Sequence, residues 1–189
     1  KAEARRYSEA MIALADSRPD DADVAVLAAE ALMTEHSYDW WRADGTPQPW
    51  TSRIIALLDR AVRLAPDHPG AHHYRIHLYG DSRTPAAAVD SAECLAALAP
   101  GVGHLVHMPA HIYIRVGRYH DAVLANVAWS QWFRSATSSE SFSGRNFTNT
   151  QAASQFSISM SLPVALVLAG SVHFCRQEKD HDRSNVTKL

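Results

Sequence analysis

At 189 residues, 47% of them hydrophobic, the chain is long enough for one domain, or a short repeat array, with a buried core. A formal net charge of −2 and the lack of any Lys/Arg block exclude a surface that tracks a phosphate backbone, so nucleic acid is not expected as a partner. Cys94 and Cys175 make neither a disulfide framework nor a Cys-rich zinc motif, and a reducing, cytoplasmic setting is favoured.

In chain order, 1–17 carries Tyr7, Ala10, Met11 and Leu14 at helical spacing. The chain begins inside this pattern, as expected of a fragment of a longer repeat protein. Asp20, Asp21 and Asp23 supply an N-cap and first-turn acids for a helix over 24–34. Residues 36–50 break the helical pattern with Gly45, Pro47 and Pro49. They carry Tyr38, Asp39, Trp40, Trp41 and Trp50, and a loop so rich in aromatics is expected to pack onto a helix. Thr51 is read as the cap of a helix over 53–64, striped by Ile54, Leu57, Leu58, Ala61 and Val62 and ended by Pro66. Further helices are expected over 70–79, from Thr84-Pro85 to 98, over 104–116 and over 118–133, with Gly117 as the turn between the last two. No segment alternates as a strand does. Residues 135–150 read as a Ser/Thr/Asn-rich linker, and 151–189 as a C-terminal helix and charged tail. The apolar run 158–174 is interrupted by Ser159, Ser161, Pro163 and Ser171, so it reads as a buried helix rather than a membrane span.

A shift of 34 residues superposes Leu64-Ala65-Pro66 on Leu98-Ala99-Pro100. It also pairs His73 with His107, His77 with His111, Tyr79 with Tyr113, and Ala88-Val89 with Ala122-Val123. That period, together with the turn Gly117-Arg-Tyr-His-Asp-Ala122, resembles the tetratricopeptide repeat. The stretch from Gly103 to Tyr113 is also similar to one in uncharacterised bacterial repeat proteins. The resemblance implies an all-α fold, a short right-handed α-solenoid of helix pairs over 1–134 with an extra C-terminal helix. It also implies a concave groove that receives a peptide or protein segment.

Eleven histidines include two pairs four residues apart, His73/His77 and His107/His111, each spacing putting both rings on one face of a helix. Adjacent equivalent helices lie roughly 8–10 Å apart, so four imidazoles are expected to form a rough square able to hold one zinc, copper or iron ion. The resemblance turns that square toward the groove. His72 and His104 are expected beside it, as supporting groups or alternative ligands, with Tyr74, Tyr113 and Arg115 near by, and the 36–50 loop could fold over it and bring Asp39, Trp40 and Trp41. Pro109 threatens this arrangement, because it disfavours helix at Met108 and shifts His107 toward a helix entrance. The residues between the paired histidines contain no glutamate, so the metalloprotease pattern with its internal base is missing. Two readings follow: a peptide-binding scaffold that carries a metal ion, and a metal-dependent hydrolase or oxidoreductase built on the same scaffold.

Overall fold

The computed structural model describes residues 2–138, and these are all-helical apart from loops. The elements are α1 (Ala2–Ser17), α2 (Ala22–Glu35), α3 (Thr51–Leu64), α4 (Pro69–Gly80), a 3-10 turn (Pro85–Ala88), α5 (Val89–Leu98), α6 (Gly103–His107), α7 (Pro109–Arg115) and α8 (Tyr119–Ser138). No strand occurs among the described residues; one isolated bridge joins Trp41 to Pro47. Helix α8 continues through Ser138, so the first residues of the expected 135–150 linker are helical, while the rest of that linker, the C-terminal helix and the tail lie outside the described residues. None of the described helices is long and apolar enough to cross a membrane.

Local chemistry sets most boundaries. The Asp21 carboxylate accepts from the Val24 N–H at 3.0 Å and caps α2. His68 caps α4, its Nδ1 accepting from the Ala71 N–H while Nε2 meets Asp23, and Pro69 occupies the first turn. Gly117 turns the chain between α7 and α8 with φ +80°, a left-handed value that glycine reaches without steric cost. Thr51 departs from its expected role. It is the first residue of α3 rather than its cap, and its buried hydroxyl donates to the Trp40 carbonyl of the aromatic loop. Pro109 splits the expected 104–116 helix into α6 and α7, yet Met108 between them stays in the right-handed helical region at φ −51° and ψ −38°. Proline removes one backbone donor there without turning the chain away.

Two apolar clusters hold the fold. The first gathers Ala25, Ala29 and Leu32 of α2, Ile54, Leu57 and Leu58 of α3, and Ala71, Tyr74 and Leu78 of α4, with Trp40 from the loop. The second gathers Ile76 of α4, Ala92 and Leu95 of α5, Met108, Ala110, Ile112 and Tyr113 of the α6–α7 segment, and Ala122 of α8. Helices adjacent in sequence pack on one another along α1–α5, and α4 also packs on α2 and on α7. Helix α4 is therefore shared. Ala71, Tyr74 and Leu78 serve the first cluster and Ile76 the second, which leaves a third side of the helix for His73 and His77. Helix α6 is locked to α8 by Trp132, whose indole N–H donates to the Gly101 carbonyl at 2.9 Å. The Trp132 ring lies where a side chain on Gly103 would stand, so that position admits only glycine without rearrangement.

Candidate metal centre

The Nε2 atom of His73 lies 3.1 Å from Nε2 of His77 and 3.1 Å from Nε2 of His104. One ligand nitrogen from each of the three residues falls within 4.8 Å of the others. The 3.1 Å spacings lie between the edges of an octahedron and a tetrahedron, about 2.9 and 3.3 Å for bonds of about 2.0–2.1 Å to zinc. His73 is the apex, and one ring nitrogen offers either a single proton or a single lone pair. It cannot satisfy both neighbours by in-plane hydrogen bonds, whereas a cation that takes all three lone pairs does.

Burial removes the competing proton. His73 is 5% exposed, and desolvation holds its imidazole well below the ordinary value, with His77, His104 and His111 adding to the effect. His77 is pushed down to about 4, first by burial and then by His104 and His111. His104 is lowered by burial and by His107 and His111. The trio is therefore neutral near pH 7, the state in which imidazole binds a metal. No carboxylate belongs to the group.

His107 and His111 form a separate pair beyond the trio, their Nε2 atoms 3.1 Å apart and their rings edge to face. The Nδ1 atom of His107 lies 2.8 Å from the Asn126 side-chain oxygen on α8. The Asn126 amide N–H donates to the Ala122 carbonyl, which orients the amide so that its oxygen faces His107. His111 is lowered by burial and by His107, and partly offset by Asp81.

The other residues singled out from the sequence are placed elsewhere. Buried His72 spends its Nε2 on the Pro66 carbonyl at 2.6 Å and its Nδ1 on the Ser91 hydroxyl at 3.2 Å, so it stands apart from the trio. Tyr74 is buried beside the His73 ring, with centroids 4.9 Å apart, and desolvation raises its phenol. Tyr113 lies under the Arg118 guanidinium at 4.5 Å. Arg115 donates to the carbonyls of Gly80 and Ser82 and so fastens the end of α4. Asp39 accepts from the Gln48 amide within the loop rather than reaching the histidines. Trp40 is buried at 4% exposure, and Trp41 donates its indole N–H to the Leu78 carbonyl of α4 at 2.8 Å. The aromatic loop is thus an anchor on α4.

One residue, Asn126, escaped the reading of the sequence. His104, expected beside the square as a supporting group or an alternative ligand, stands among the ligands. The signal was present, since His104, His107 and His111 follow the i, i+3, i+7 spacing of one helix face. Asn126 has no comparable signature, because nothing in a lone asparagine of a long helix marks it as a histidine partner. No protein-family model matches the chain, and no curated protein is similar to it.

Proposed function

We propose that this chain is a tetratricopeptide-like binding scaffold that holds a divalent transition-metal ion on His73, His77 and His104 and receives a peptide or protein segment in the adjoining groove. The observation that carries the metal half is the convergence of the ring nitrogens of His73, His77 and His104. An all-imidazole set suits zinc, copper or iron and suits magnesium or calcium poorly. The scaffold half is supported by the 34-residue period and by the packing of α4 on both α2 and α7, the contacts that stacked helix pairs make.

Three protein ligands are also the set of catalytic zinc centres, which keep a coordination position for water. That feature supports a metal-dependent enzyme, hydrolase or oxidoreductase, as the second reading.

Metal analysis of the full chain, purified without a His tag and titrated with zinc after chelator treatment, tests the proposal. Bound zinc is expected, with loss of the tightest-bound ion in His73→Ala at unchanged helix content. A chain that takes up no zinc, copper(II) or iron(II) would leave only the peptide scaffold.

A further inference from the structure

We infer that His107 and His111 hold a second transition-metal ion beside the trio, with Asn126 as the positioning residue for His107, so that the groove carries a two-ion, five-imidazole centre. The inference rests on the metal reading of the trio and extends it to a separate pair.

Three observations carry it. First, the pair repeats the trio's geometry: two Nε2 atoms 3.1 Å apart, on the α6–α7 segment. Second, the tautomer of His107 is set from outside. The Asn126 amide is oriented by its N–H bond to Ala122, so its oxygen accepts from His107 Nδ1–H. Neutral His107 then carries its lone pair on Nε2, aimed at His111. A polar partner on the far nitrogen is what orients metal-binding histidines in general. In a neutral pair the only proton that could lie between the two Nε2 atoms is the one on His111, and an ion taking both lone pairs replaces that bond. Third, the pair stands as a set apart from the trio. No third described His, Cys, Asp or Glu completes a set with His107 and His111 inside the 4.8 Å span that encloses the trio. It is nevertheless close enough that His111 acts electrostatically on His73, His77 and His104.

Two protein ligands leave positions for water or for a group from a bound segment. The second ion is therefore expected to be the weaker and more exchangeable of the two.

Zinc stoichiometry separates this inference from the reading it rests on. The full untagged chain is stripped with chelator, equilibrated against free zinc over a concentration series, and analysed for bound metal. Two ions per chain are expected, with one tighter than the other. The double variant His107→Gln/His111→Gln should keep the tight ion and lose the weak one; the glutamines keep polarity and size, and circular dichroism checks the helices. Asn126→Leu should weaken the second ion by about 10- to 100-fold and leave the first unchanged, while Asn126→Asp, which keeps an acceptor oxygen, should restore it. Binding of one ion only, lost equally in His73→Ala and in the double variant, would overturn the inference in favour of a single shared site. Two ions retained in the double variant would overturn it as well. A chain that binds no ion at all would fail the trio reading first, and this inference with it.

Discussion

Proton competition is the sharpest measure of the trio, because burial and metal binding act on the same nitrogen atoms. Zinc needs neutral imidazole, so acid weakens a histidine site as the rings take up protons. An imidazole at its ordinary value of about 6.5 is about nine-tenths protonated at pH 5.5, a cost of about tenfold in affinity per ligand. Three such ligands would lose about a thousandfold between pH 7.5 and 5.5 and release about 2.7 protons per zinc bound at the lower pH. In this protein burial holds His73 well below that value, His77 at about 4 and His104 below it. An imidazole at about 4 is only about 3% protonated at pH 5.5. The affinity of the trio is therefore expected to fall by less than about tenfold over this range, with fewer than about one proton released per zinc. Calorimetric titration in buffers of different ionisation enthalpy gives both quantities. The His107→Gln/His111→Gln background reads the trio alone. A thousandfold loss with nearly three protons released at pH 5.5 would show that the rings titrate as solvated ones, and the buried trio geometry would be refuted.

The metal-free protein should itself be acid-sensitive. A folded value of about 4 for His77 against about 6.5 unfolded means that the unfolded chain takes the proton first. Stability is then full above pH 6.5 and falls as pH drops toward 4, on the order of 3 kcal/mol for this residue alone; urea midpoints unchanged between pH 7.5 and 4.5 would contradict the burial. Gly103→Ala should drive a methyl group into the Trp132 ring and destabilise the chain by about 1–3 kcal/mol, read as a lower urea midpoint. In the Trp132→Ala background the same change should cost much less, and an equal cost in both backgrounds would mean that the ring is not the obstacle. Trp40→Ala should cost about 3–5 kcal/mol, since the indole fills the first cluster at 4% exposure, and a midpoint within error of the parent would place the loop outside the core.

Much of the local structure was legible because its causes are local. The Asp21 cap and the left-handed Gly117 each follow from one side chain or the lack of one, acting within a turn. Thr51 was misread for the converse reason. A threonine before an apolar stripe looks like a cap, but its hydroxyl is drawn to the Trp40 carbonyl by a loop packed from elsewhere in the chain. Asp39 was offered to the metal and is held instead by Gln48, a contact set by how the loop closes on itself.

The candidate site divides along the same line. The pairs His73/His77 and His107/His111 were readable, since residues four apart on a helix are neighbours whatever surrounds it, and the structure brings both pairs to 3.1 Å. The sequence by itself thus determined the helical class and which histidines share a helix face. Which of them meet across helices was decided only by tertiary packing. Trp132 sits on Gly103 and holds α6 against α8, and α4 gives two of its sides to the two apolar clusters. Those contacts set the axial offset between α4 and the α6–α7 segment, and at that offset His104 rather than His107 or His111 reaches His73. Spacing within a helix is set by covalent geometry and backbone hydrogen bonds. The offset between helices is set by side chains distant in sequence, and no local pattern encodes it.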